Sequence, residues 1–221
     1  MKEFDLIPRI MDSKDWATLI FVGCLIMIAI TKTAFESRFN DFIKLVISNK
    51  YLKIYREGGN TLDWFNILLF FVQLFSLAFF IQLILSYFGY TTKTNGIAFI
   101  QIVTLLGFFI LSKYLIEKII ATSFNIEEFN EQLHLQKVSY RTYIGLALLP
   151  IDLVLFYNDK PVVLLVYILI AIVLLINAYT YAVSLRNYQN LIISKLFYFI
   201  LYLCALEIAP YYFMYYWFTK S

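Results

Sequence analysis

Asp152 and Glu207 are carboxylates set inside stretches that otherwise read as lipid-soluble. Asp152 falls in residues 143–157 and Glu207 in 196–218, and each has a proline close by, Pro150 and Pro210. An acid in hydrocarbon costs about 2.5–3.5 kcal/mol even on insertion scales, so it persists where it pairs, meets water or carries a proton. Proton, ion or substrate binding is the chemistry these residues suit. The alternative is a carboxyl that only bonds helices together. The prolines bear on the same choice. Pro150 cannot donate to the carbonyl of Leu146, nor Pro210 to that of Leu206, so each is expected to kink its helix near an acid. Carbonyls freed at mid-membrane need a neighbouring helix, a hydroxyl or water.

The elements that hold these acids follow from composition. The chain has 221 residues, 62% hydrophobic and 15% charged, whereas soluble domains carry about a quarter charged residues. Several apolar runs reach the roughly 18 residues that cross a bilayer as a helix. Open strands would leave backbone groups unpaired in lipid. The expected fold is all-α, a polytopic transmembrane helix bundle forming one integral membrane domain over residues 1–221. Its six spans are 16–33, 64–88, 97–116, 143–157, 161–182 and 196–218. The fourth is short and should extend back toward Val138, with Arg141 reaching the interface.

Charge gives an orientation. Lys32, Arg38, Lys44, Lys50, Lys53 and Arg56 flank or fill the first loop. Lys113, Lys118, Lys137 and Arg141 do so for the third, and Arg186 and Lys195 for the fifth. The positive-inside rule then puts odd loops in the cytoplasm and both termini outside. Residues 90–96 and 158–161 are tight connections, which make spans two and three, and four and five, antiparallel neighbours. In the first loop, Phe39, Phe42, Ile43, Val46 and Ile47 recur near helical spacing among basic residues, which suits a short interfacial helix on the cytoplasmic side. In the third, Asn125, Ile126, Glu127 and Glu128 resemble a capping box, with Phe129 and Leu133 as an apolar stripe. Both segments could equally be extensions of the spans.

A helix rises about 1.5 Å per residue, which puts Glu207, Asp152, Gln73 and Asn177 about 12–17 Å from the cytoplasmic ends of their spans. All four therefore cluster near the middle of a hydrocarbon core about 30 Å thick. They form the candidate mid-membrane polar site. Asn177, Tyr181 and Ser184 share a stripe of span five that offers access from the cytoplasm. Gln101, Thr104 and Ser112 share a face of span three. Gln73 and Gln82 stand on opposite faces of span two, so that span is expected to be covered on both sides. Span one has only Gly23 and Cys24 at mid-depth and is the candidate for a peripheral helix.

Other chemistry finds little footing. His134 is the single histidine, and it reads as a loop residue, so no metal site is expected. Cys24 and Cys204 fall in spans and read as buried apolar groups. No P-loop, nucleophile elbow, His-Glu-x-x-His or Cys-x-x-Cys occurs, and no catalytic residues or cofactor are expected. No basic cluster suggests nucleic acid. The aromatic run 211–218 reads as an interfacial belt.

The last span reads Tyr202-Leu203-Cys204-Ala205-Leu206-Glu207-Ile208-Ala209-Pro210. It resembles the closing signature of an uncharacterised family of polytopic bacterial inner-membrane proteins, found mainly in Bacteroidota. Tyr140-Arg141 and the span containing Pro150 fit the same pattern. The resemblance implies a place in the bacterial cytoplasmic membrane and supplies no activity. The expectation for function is a subunit or scaffold of an envelope complex, partnered by the lipid bilayer and other membrane subunits. The alternative is a small proton-coupled carrier using the mid-membrane carboxylates. An enzyme acting on a lipid substrate has no acid–base or metal set behind it.

Overall fold

The computed structural model describes residues 14–46, 63–123, 127–158 and 163–187. Among these the chain is α-helical without strands. The helices are α1 (Asp15–Ala34), α2 (Glu36–Ile43, followed by a 3-10 turn, Lys44–Val46), α3 (Trp64–Tyr87), α4 (Gly96–Ser123), α5 (Glu127–Tyr157) and α6 (Val163–Asn187). Among the described residues, four segments are long and apolar enough to cross a membrane: α1, α3, α4 and residues His134–Tyr157 of α5. Within α6, Val166–Ala178 forms a shorter apolar stretch. The sixth expected span, 196–218, lies outside the described residues.

α3 is the central helix. It packs most extensively on α5 and also on α1 and α4. α3 and α5 run in the same direction: Leu69 lies with Leu146, and Phe79 meets Phe156 further along both. The antiparallel α4 is the crossover between them. α1 is antiparallel to α3, with Phe21 stacked on Phe79 at one end and Phe35 edge-on to Phe65 at the other. α6 packs Leu169, Ile170 and Val173 against Phe80, Ile144 and Leu148.

The α3–α4 turn shows how the sequence fixes a connection. Gly89 has φ 81°, the left-handed value that glycine adopts without steric cost. Around it Tyr90 N–H donates to Leu85 O at 3.0 Å and Gly89 N–H to Ser86 O at 3.2 Å, the paired bonds of a Schellman cap. Asn95 then caps α4, its Oδ1 accepting the N–H groups of Ile97 and Ala98, both at 3.1 Å. Gln82 Nε2 ties the turn back to α3 through Asn95 O at 2.8 Å and Thr92 O at 3.3 Å. Trp16 Nε1 fastens α1 to Thr94 O at 3.2 Å.

The loop segments resolve differently from one another. In the first, Phe35 turns the chain (φ −132°, ψ 50°) and starts α2. Phe39, Phe42 and Leu45 then bury against Phe65 and Leu69 at the bundle end. Arg38 donates to Asp63 Oδ2 at 2.7 Å, its guanidinium 4.7 Å over the Phe65 ring. In the third, α4 continues to Ser123 and α5 begins at Glu127, so the segment extends both helices and forms no separate one. The helix-forming Glu127–Tyr140 stretch has no glycine or proline to stop it.

α1 buries Ala17, Phe21, Cys24 and Thr31 and exposes Leu19, Val22, Leu25, Ile26 and Ile30. α4 is exposed along more of its length, at Ile97, Ile100, Leu105, Phe108, Leu111, Leu115 and Ile119. The more peripheral helix is therefore α4, although α1 has fewer polar groups. Aromatic packing from Trp16 and Phe21 draws α1 inward.

Candidate functional site

The polar centre of the bundle lies between α3 and α5. Asp152 is 0% exposed, and Ser76 Oγ donates to its Oδ2 at 3.0 Å. Its Oδ1 is buried with no hydrogen-bond partner among the described residues. Toward the α2 end, Thr142 Oγ1 donates to Gln73 Oε1 at 2.8 Å, with both residues buried. Two of the expected site residues, Asp152 and Gln73, thus belong to one α3–α5 interface. Their partners Ser76 and Thr142 escaped the sequence reading. The signal was present, because Gln73 and Ser76 stand one turn apart on α3.

Gly145 is what lets this contact form. A Cβ placed there would lie 2.9 Å from Gln73 Cα, inside van der Waals contact with backbone. A small residue at a membrane helix crossing permits such an approach, and the approach puts polar side chains within bonding reach. Around the polar pairs the packing is apolar: Val72, Leu149 and Cys24 form one layer of α3, α5 and α1.

The depth estimate changes in detail. α5 is longer than expected at its α2 end, so Asp152 stands closer to Tyr157 than to His134. Its partner Ser76 is near the middle of α3, which keeps the pair central in the bundle. Pro150 lies within α5, which stays helical through it to Tyr157. Pro150 is exposed, on roughly the opposite face from Asp152.

Among the described residues, Asn177 does not meet Asp152 or Gln73. It is exposed on α6, and its Nδ2 donates to Val173 O of the same helix at 2.8 Å. The side chains of Tyr181 and Ser184 lie outside the described part of the structure, as do Glu207 and Pro210. Gln101 and Thr104 are exposed on α4, with Thr104 Oγ1 bonded to Ile100 O at 2.8 Å. Gln73 and Gln82 are both buried on α3, the first against α5 and the second against the α3–α4 turn.

His134 is not a free loop residue. Its Nδ1 is 3.5 Å from Glu117 Oε2, and its ring is 4.7 Å from that of Tyr114. Glu117 is 5% exposed. This pair links α4 to the start of the apolar part of α5. Among the described residues, no group of three or more His, Cys, Asp or Glu could hold a metal ion.

A helix bundle with an apolar exterior and a polar contact closed inside it fits a multi-pass membrane protein. The particular family is given by the sequence: the chain belongs to the family described as a domain of unknown function (DUF4271), whose model matches residues 17–218. No curated protein and no solved structure matches the chain.

Proposed function

We propose that this chain is a small proton-coupled carrier of the bacterial cytoplasmic membrane, with Asp152 as its proton-bearing group. The observation behind this reading is the Asp152 carboxyl: fully buried, bonded by Ser76 at Oδ2 and, among the described residues, unpartnered at Oδ1. Leaving a buried polar atom unbonded costs about 1–3 kcal/mol, and a carboxyl that takes up a proton needs one oxygen open to receive it. Glu207 is the second acid expected to serve the same route. The orientation read from positive charge puts both termini outside and the Arg38-bearing end of the bundle in the cytoplasm. α2 then lies at the inner membrane surface.

The test is potential-driven proton uptake by purified protein in liposomes holding a pH-sensitive dye. It is run with and without an external mixture of amino acids, sugars, carboxylates and metal salts. Asp152→Asn keeps size and polarity, so the variant is expected to accumulate normally and take up no protons. Uptake equal to wild type in this variant would overturn the reading, as would wild-type liposomes no different from protein-free ones.

A second reading, a subunit or scaffold of an envelope complex, is favoured by polar groups on the apolar exterior, Asn177 on α6 and Gln101 on α4. Polar side chains on membrane helices commonly mark contacts with further helices. It predicts that gently extracted protein copurifies with defined membrane partners in fixed ratio. Consistently monomeric protein without companions would remove it.

A further inference from the structure

α4 turns a continuous face away from the bundle. Gln101, Leu105, Phe108, Leu115 and Ile119 are exposed on it, and Ser112 among them is half-buried. Their spacing alternates four and three residues, the repeat that keeps one seam of a helix against a second helix along its length. Phe99, Gly107 and Glu117 turn the other way, toward α3 and α5. Lys113 and Lys118 stand off the seam, so it carries no charge.

Gln101 is the member of this face that a lipid surface does not explain. Phe99 rests on Phe79 with ring centroids 4.4 Å apart, and Gly107 faces Leu74. Gln101 lies between them and is therefore level with the middle of α3, near Ser76. An amide facing hydrocarbon at that depth has donors and an acceptor to satisfy. Thr104 and Asn177, also exposed, donate to carbonyls of their own helices. The Gln101 amide makes no hydrogen bond among the described residues.

A carboxamide is its own complement. Two copies of the chain inserted the same way round present Gln101 at the same depth, and a two-fold axis along the membrane normal sets each residue beside the axis against itself. Nε2 of each copy then donates to Oε1 of the other, and both bonds form together. A single polar position in an apolar seam also fixes the register of the helices. An unrelated helix would have to place a matching amide at this depth, whereas a second copy does so by symmetry.

We propose that α4 is the contact helix of a homodimer, with paired Gln101 amides at the two-fold axis and Phe108 and Leu115 packed along the same seam. The dimer does not depend on the role of Asp152.

Single cysteines in native membranes test the seam, after Cys24→Ala and Cys204→Ala. Phe108→Cys and Leu115→Cys, at exposed positions, are expected to oxidise to a disulfide-linked dimer of the chain. Leu25→Cys on α1 and Ile172→Cys on α6, also exposed, should stay monomeric. Wild-type protein released from lipid nanodiscs should show the mass of two copies. Gln101→Leu should raise the dissociation constant of the dimer about eightfold on dilution in lipid, the scale of two interhelical bonds lost together. Monomeric wild-type protein would overturn the proposal, as would seam cysteines that link to a different protein or α1 and α6 cysteines that link as readily. An unchanged dissociation constant in Gln101→Leu would take the amides off the axis and overturn it as well.

Discussion

The two ends of the α3–α5 pair are built on different principles. Near the α3–α4 turn the contact is aromatic. Phe79 lies 4.2 Å from Phe21, 4.4 Å from Phe99 and 5.8 Å from Phe156, with Trp16 closing the cluster. Gln82 and Trp16 there send their N–H groups to turn carbonyls. Toward the α2 end the same helices meet through Gln73, Ser76, Thr142 and Asp152 around a glycine. Among the described residues each end leaves one buried side-chain oxygen of the pair unbonded, Gln82 Oε1 at the first and Asp152 Oδ1 at the second. The aromatic end holds a fixed arrangement by van der Waals contact, which remains effective where lipid removes any hydrophobic gain. The polar end adds little to stability, because an interhelical hydrogen bond in a membrane averages about 0.6 kcal/mol. Aromatic packing and interhelical polar bonding are thus separated along one helix pair.

That separation can be broken by substitution. Phe79→Ala removes the ring shared by α1, α4 and α5, and should cost about 3–5 kcal/mol, the range for buried aromatic truncation. Thermal unfolding in detergent would show it, and uptake per folded molecule should be unchanged. A loss of uptake with intact folding would mean that the aromatic end takes part in transport. Gly145→Leu comes next. With Gln73 Cα 2.9 Å from the new Cβ, the helices must part, at about 1–3 kcal/mol for overpacking. It should also lose uptake, because the Thr142–Gln73 and Ser76–Asp152 bonds depend on the close approach. Ser76→Ala gives the smallest change in stability, about 0.6 kcal/mol, yet should reduce uptake strongly by freeing Oδ2. If Ser76→Ala is as destabilising as Phe79→Ala and uptake survives, the polar end serves packing.

Much of the fold was legible in the sequence because it depends on local patterns. Apolar length marks α1, α3 and α4, and Gly89 and Asn95 mark the turn between α3 and α4. The span at 143–157 was expected to extend back toward Val138, and the structure carries the same helix on to Glu127, through Ser139 and Gln136. Both are buried in the structure, and the Ser139 hydroxyl bonds to Leu135 O of its own helix at 2.7 Å. The candidate site was half legible. An acid in an apolar run stands out anywhere, so Asp152 was found. Asn177 was assigned to the same layer by depth, but depth does not say which way a side chain faces. On α6 it faces outward and bonds to its own helix.

The sequence by itself determined that this is an all-α chain of long apolar helices with acids placed where lipid would exclude them, because hydrophobic length and the cost of buried charge are properties of single segments. Only the tertiary structure decided that α3 is central, that it runs parallel to α5, and that Ser76 and Thr142 complete the contact of Asp152 and Gln73. The reason is geometric. Partners such as Ser76 and Asp152 are far apart along the chain, and they meet only because Gly145 admits Gln73 at the crossing, a fit no single segment can encode alone.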